Sequence, residues 1–545
     1  MSTQQRIILA TVLAFVFFLM YDYFLVPKKQ IETSNATQIE QTTTAQSAPN
    51  ISQNVASQSV ASPASSSPAT SESSEIISKI YADDYEVYID RLGRVQKYFL
   101  NGVNFKDSEG ERIQLIDSSF GLLPLEIRFS DTIVNNEAFT TPYVADKSEI
   151  KLNGDGSGVL VLTQTLSSVT VTKTITFTQK NGYKIDVSLS SPFRYFITPG
   201  FRPNVIADGY TFHGVIVQNE DSSLEKIEDG DAKKTQIFTN SKFAAASDRY
   251  YTTLFANFDT GLEVTVSPAT DNNPNIFISS DKELSLTGYM GPKSREDIYA
   301  VDSRLDPVIE YGFFTLISKP LFSFLNFIHS KIGNWGWSIV IMTLVIRLFL
   351  YPITYRGMVS MNKLKELAPK VKELQAKYKD DKQKLNVQMM ELYKKHGANP
   401  MGGCLPILIQ IPIFFAIYRV LLNAIALKNA EWILWIHDLA VKDPYFVLPI
   451  LMGATMFLQQ RITPTTFADP MQEKIMRLLP IIFTFFFLMF PAGLTLYWFI
   501  NNLFSIAQQL YVNRIFAKKN EAKVEKEKEH IEEKKEKAKA KKDNL

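Results

Sequence analysis

The chain has 545 residues, with 58 Lys and Arg against 56 Asp and Glu, for a formal net charge of +2. That length calls for at least two folded units, and the neutral averages hide them, because apolar residues crowd both ends around a polar middle. One cysteine, Cys404, excludes an internal disulfide framework and a thiol metal cluster. His213, His329, His396, His437 and His530 lie too far apart for a zinc motif on one element. No metal or cofactor is therefore expected.

Ile7 to Val26 is apolar and of spanning length, flanked by Arg6 on one side and by Pro27, Lys28 and Lys29 on the other. Tyr21, Asp22, Tyr23 and Phe24 stand where a signal peptide needs small residues, so residues 1–29 read as a retained anchor. Residues 30–74 are Ser, Thr, Gln and Ala with scattered Pro, a composition that cannot bury a core, and they read as a tether.

Between residues 75 and 306 the period becomes two, as where Val169, Val171, Ile175 and Phe177 alternate with threonines and Lys173. Asn181 and Gly182 then predict a two-residue type I′ hairpin. Further short strands with Gly, Asn and Asp punctuation predict a large antiparallel β-sandwich.

Residues 307–334 are aromatic-rich but polar-interrupted, which fits an interfacial amphipathic helix. Spans are predicted at Trp335 to Tyr355, Leu405 to Ala426, Tyr445 to Gln460, Leu478 to Phe490 and Leu494 to Val512. Pro491, Ala492 and Gly493 mark a tight turn between the last two. Residues 335–512 thus form a five-helix core, and the anchor makes six transmembrane helices.

Arg356 to Asn399 carries eleven Lys and Arg, whereas Leu427 to Pro444 carries two. By the positive-inside rule the first segment is cytoplasmic, which puts both termini inside and the β domain in the periplasm. Within 356–399, Leu364, Leu367, Val371, Leu374 and Tyr378, then Leu385, Met389, Leu392 and His396, recur at three and four residues and predict a paired helical hairpin. Its basic outer face suits anionic lipid, ribosomal RNA or a nascent chain, or is simply solvated. The tail at 513–545 mixes lysines with glutamates, reading as a solvated helix with at most a weak contact to the ribosome.

Arg347 sits near the middle of its span with no Asp or Glu in any of the five later spans. Such an arginine implies a water-filled cavity or a transient partner; the alternative is a guanidinium capping carbonyls inside the bundle. Thr343 lies one turn away, and Gln410, Thr484, Asn501, Asn502, Ser505, Gln508 and Gln509 add polar groups without counter-charges. Trp498, Asn502, Ser505 and Gln509 recur as a stripe that would wet a groove or hydrogen-bond the bundle together. Methionines concentrated after residue 340 suit a surface that accepts many apolar sequences, and suit core filling equally.

The runs SIVIMTLVIRLFLYPIT around Arg347, NPMGGCLPILIQIPIFFAIY from Asn399, DPMQEKIM from Asp469 and FPAGLTLYW from Phe490 resemble the YidC/Oxa/Alb insertases. The likeness covers about Phe313 to Val512, and the anchor and β domain resemble the Gram-negative form. It implies an insertase that helps transmembrane segments of newly synthesised membrane proteins enter and fold in the inner membrane, alone or beside the Sec translocon. It also implies an Arg-bearing groove open to cytoplasm and lipid, along whose third and fifth spans incoming helices slide, and a β-supersandwich. Arg347, Thr343, Gln410 and Tyr497 match groove positions; Trp498 stands where related bacterial forms commonly carry a second tyrosine. A transporter for an anionic solute is the alternative reading, against which the chain has no self-similar halves. An enzyme is disfavoured by the lack of a Ser, His and Asp set or a phosphate loop at membrane depth.

Overall fold

A computed structural model describes residues 75–542, except 103–104, 107–109, 117–120, 155, 206–210, 310–313, 380, 400–404 and 464–469. The anchor, the tether and Cys404 lie outside the described residues. The chain divides into two compact units, one up to Ile309 and one after it.

The first unit holds three sheets. The nine-stranded sheet runs, edge to edge, Leu224–Glu228, Gly214–Gln218, Phe243–Ser247, Tyr251–Ala256, Leu284–Pro292, Gly182–Leu189, Thr170–Phe177, Gly158–Thr165 and Val144–Ala145. All its pairs are antiparallel. One five-stranded sheet orders Gln236–Ser241, Leu262–Pro268, Pro274–Ser280, Tyr195–Ile197 and Ile127–Phe129. Its strand Pro274–Ser280 touches Gly214–Gln218 and Phe243–Ser247 of the large sheet. Phe243–Ser247 and Tyr251–Ala256 are buried at every position, as strands covered on both faces must be.

The other five-stranded sheet orders Gln114–Ile116, Val95–Leu100, Tyr85–Asp90, Ile76–Tyr81 and Glu149–Lys151. Its last pair is parallel, a departure from a purely antiparallel sandwich. Two buried tyrosines join it to the large sheet: Tyr85 Oη donates to Thr178 O at 2.6 Å and Tyr98 Oη to Asn181 Oδ1 at 3.0 Å. Two helices, α1 (Thr132–Thr140) and α2 (Arg295–Val301), complete the unit, N-capped by Asp131 and Ser294.

Two sequence expectations need correction here. Gly182 does not share a two-residue turn with Asn181, because it already pairs with Tyr289 inside its strand. The loop is Gln179 to Asn181, with only Asn181 left-handed at φ 60°. Glycine serves packing instead, since a Cβ at 182 would meet a Val301 methyl at 2.5 Å. Lys173, read as alternating with the apolar residues, shares their parity and is fully buried with Val171 and Ile175.

The second unit is helical: α3 (Thr315–Ile332), α4 (Trp335–Glu366), α5 (Ala368–Lys377), α6 (Lys382–Lys395), α7 (Leu405–Asn423), α8 (Val447–Ile462), α9 (Pro470–Phe487) and α10 (Ala492–Lys542). Among the described residues α4 alone is long and apolar enough to cross a membrane by length and composition, with shorter apolar stretches at Ile409–Asn423 and Met476–Phe487. The helix of the last predicted span continues past Val512, as α10 runs unbroken through the Lys- and Glu-rich tail. α10 packs along α4 and α8, α8 against α9, and α7 against α3.

Local chemistry fixes these helices. Asn334 caps α4 by accepting from Trp337 N at 3.0 Å, and its amide donates to Glu431 O at 3.1 Å in the α7–α8 connection. In the same connection, Asp443 is 1% exposed and accepts from Trp435 Nε1, Tyr445 N and Leu448 N. The turn before α10 ties back to it, with Ala492 N donating to Val441 O and Gly493 N to Leu439 O. This end of the bundle is thus closed by a dense polar lacing. At the other end α5 and α6 pair as a hairpin on the half-buried Val371, Leu374, Leu385, Met389 and Leu392.

Candidate functional site: a buried arginine among neutral partners

Helix α4 carries Arg347 toward α10, where the residue is only 8% exposed. Arg347 Nε donates to Asn501 Oδ1 at 2.7 Å, and Nη2 donates to Asn501 O at 3.2 Å and to Ser505 Oγ. Nη1 donates to no described residue. The expectation of an unpaired arginine is therefore corrected in part: α10 satisfies three N–H groups. It does so without a carboxylate, so three of the five N–H groups are met and the charge is not neutralised.

Tyr497, Asn501 and Ser505 follow one another at four residues and lie on one face of α10. Tyr497 is 1% exposed and accepts from Gln410 Nε2 of α7 at 3.1 Å. Thr343 is also buried, with its hydroxyl turned back onto Ile339 O at 2.7 Å rather than outward. Two polar groups thus meet on this face of α10, Arg347 of α4 with Asn501 and Ser505, and Gln410 of α7 with Tyr497 one turn earlier.

The remaining predicted residues meet different neighbours. Asn502 turns to α8, donating to Thr455 Oγ1 at 3.3 Å. Gln509 donates to Asn513 Oδ1 at 2.8 Å within α10. Trp498 packs among Phe414, Phe483 and Phe487 with ring centroids 4.6, 6.0 and 5.5 Å away. Its Nε1 is buried without a hydrogen-bond partner. Thr484 bonds back to Pro480 O at 2.7 Å and sits where a Cβ at Gly453 of α8 would fall 1.9 Å from its hydroxyl.

A second polar junction escaped the sequence reading. Asn513 accepts from Asn362 of α4 at 3.0 Å as well as from Gln509, and its own amide donates to Ile462 O at the end of α8 at 3.3 Å. Asn513 lies four residues after Gln509 and so extends the stripe by one turn, which was the available signal. Nothing in the spacing pointed to Asn362 or Thr455. Among the described residues no group of three or more His, Cys, Asp or Glu could hold a metal.

The family model described as 60Kd inner membrane protein matches residues 327–520, and that described as YidC periplasmic domain matches residues 79–324. A membrane protein insertase YidC of Campylobacter jejuni is 52% identical over 522 residues, covering 95% of this chain and 98% of that one. This chain belongs to the YidC family of membrane protein insertases. The Wolinella succinogenes relative is 48% identical over 96% of this chain and 97% of its own. That of Helicobacter pylori is 44% identical over 97% and 99%. The YidC-family match makes the chain an inner-membrane insertase with a periplasmic domain rich in antiparallel sheet. The matches give no support to the anionic-solute transporter reading.

Proposed function

We propose that this chain passes transmembrane segments of newly synthesised membrane proteins into the bilayer along the polar residues Arg347, Ser505, Tyr497 and Gln410, without covalent chemistry. Thr343 on α4, Trp498, Asn502 and Gln509 on α10, and Thr484 on α9 support that surface. The observation that carries the proposal is Arg347 itself, buried and fully hydrogen-bonded on one side yet held only by neutral groups. A buried cation costs free energy unless paired, so an unneutralised one favours a carboxylate brought by a substrate.

On this reading six helices cross the membrane with both termini cytoplasmic. The laced end formed by Asn334, Asp443 and the turn before α10 faces the periplasm and resists passage. The basic hairpin then lies in the cytoplasm, where it guides incoming chains, touches anionic lipid and lies near the ribosome. Val387 and Met390, 56% and 52% exposed, open into a cleft of about 790 Å³ beside Tyr393 and Lys394 and give that hairpin an apolar face to offer. The chain works alone or beside the Sec translocon.

The test is insertion of one model substrate whose translocated tail carries zero to three aspartates. Arg347→Ala lowers insertion progressively as aspartates are added, and Arg347→Lys, which keeps the charge but loses the planar fork, lies between. An Arg347→Ala defect of equal size along the series, at equal abundance, shows that Arg347 only braces the bundle.

A further inference from the structure

We propose that Asn501 is a positioning residue that sets how Arg347 grips an acidic segment; the inference rests on the reading of Arg347 given above. A guanidinium presents five N–H groups and holds a carboxylate best through two parallel bonds. Its Nε and Nη2 edge is one such fork, and Asn501 occupies that edge with both its side-chain and main-chain oxygens, while Ser505 takes the second Nη2 hydrogen. Nη1 alone is left with no described partner, so an incoming carboxylate meets one nitrogen rather than a fork.

Two consequences follow from the chemistry of an amide at this place. Asn501 is neutral, so the full charge of Arg347 remains to attract an acid. By closing the fork it also keeps the contact single-pointed and easily released, as a substrate that must move on requires. An aspartate at 501 would accept the same Nε hydrogen bond in nearly the same volume but would neutralise Arg347 from within. An alanine would free the Nε hydrogen for a carboxylate, leaving only the longer main-chain bond of 3.2 Å on the Nη2 side of the fork, and would leave the charge untouched.

The two substitutions therefore move the acid response in opposite directions, whereas a packing role for Asn501 would move both the same way. The readout is the ratio of insertion for the three-aspartate substrate to that for the zero-aspartate substrate, measured in the full chain at matched abundance, together with the lifetime of a crosslinkable acidic tail at Arg347. Asn501→Asp is expected to bring the ratio to within about twofold of that of Arg347→Ala. Asn501→Ala is expected to lengthen the lifetime of the acidic tail at Arg347 severalfold, and in an Arg347→Ala background to change neither readout. A wild-type ratio in Asn501→Asp, or an unchanged or shortened lifetime in Asn501→Ala, overturns the assignment. If Asn501→Asp fails to accumulate, the alanine lifetime and the double variant decide alone. A flat series in Arg347→Ala itself would instead sink the proposed function, a distinguishable failure.

Discussion

The two units bury charge in different ways. In the β unit Arg94 lies between Asp90 at 2.8 Å and Glu126 at 3.0 Å, with Arg128 on the other Glu126 oxygen at 2.9 Å. Asp90 and Glu126 are 0% and 1% exposed, so both of these arginines have a fixed, buried counter-charge. In the helical unit Arg347 is as deeply buried as Arg94, both 7–8% exposed, yet its partners are an amide, a carbonyl and a hydroxyl. A closed ion network serves the fold. A hydrogen-bonded but unneutralised cation leaves attraction unspent, which is what a transient acidic partner can use.

The sharpest way to break the contrast is to open the closed network. Arg94→Met strands the buried Asp90 carboxylate and leaves Glu126 to Arg128 alone, and loss of one partner from a buried pair costs about 3–5 kcal/mol. Hydrogen-exchange protection of the amides in Tyr85–Asp90 and Val95–Leu100 should fall accordingly. If it does not, the network contributes less to the fold than its burial implies. On the bundle side the comparable weak point is a close approach rather than a charge. A Cβ at Gly453 would lie 1.9 Å from Thr484 Oγ1, so Gly453→Ala overpacks α8 against α9 and should cost about 1–3 kcal/mol. Thermal unfolding in detergent measures this, and adding Thr484→Ala should restore much of the loss by making room.

How legible these features were follows from what period and charge encode. The spacing of apolar residues located the helices and the strand-rich middle because burial imposes periods of 3.6 and 2. The rarity of charge at membrane depth singled out Arg347 for the same reason. Spacing says which residues share a face but not which neighbour that face meets. The stripe of Trp498, Asn502, Ser505 and Gln509 is therefore correct as a pattern, yet in space it divides between Arg347, Thr455, Asn513 and an aromatic cluster. The type I′ turn at Asn181 failed because Gly182 answers to Val301, a contact remote in sequence. Lys173 was misread because a lysine suggests a solvent face, although its odd numbering matched the buried valines.

Lys173 offers a milder break. Its ammonium donates to Gly93 O at 2.9 Å and Leu125 O at 2.7 Å and lies 4.4 Å from the centre of the Tyr143 ring. Burial pushes its pKa down from 10.5 to about 7, against the pull of Asp90 and with the push of Arg94. Between those values the unfolded chain binds more protons than the folded one, so the Lys173 contribution makes stability rise with pH, by at most ~1.4 kcal/mol per unit. Below about 7 the penalty is constant, and above 10.5 it is gone. Lys173→Met removes the slope while leaving two carbonyls unsatisfied. The difference between wild-type and variant stability should therefore narrow toward low pH and widen from neutral to alkaline pH, as followed by urea unfolding of the β unit's tyrosine signal. A difference independent of pH would mean that the ammonium keeps its charge in the fold.

The smallest effect on the fold is expected where neither kind of burial operates. Val387 and Met390 stand on α6, each more than half exposed. Replacing both with serine removes almost no buried surface, so stability should stay within about 0.5 kcal/mol of the wild type. Met390 offers a flexible, polarizable side chain suited to varied apolar sequences, and Val387 adjoins it across one side of the cleft. If the hairpin guides substrates, insertion should fall severalfold at equal membrane abundance, with the deficit larger for more apolar segments and indifferent to added aspartates. That indifference separates the hairpin from Arg347, whose loss grows with each aspartate. A deficit that instead tracks the aspartate number would place the hairpin and Arg347 on one acid-sensing surface, and no deficit at all would make the exposed pair a solvated face.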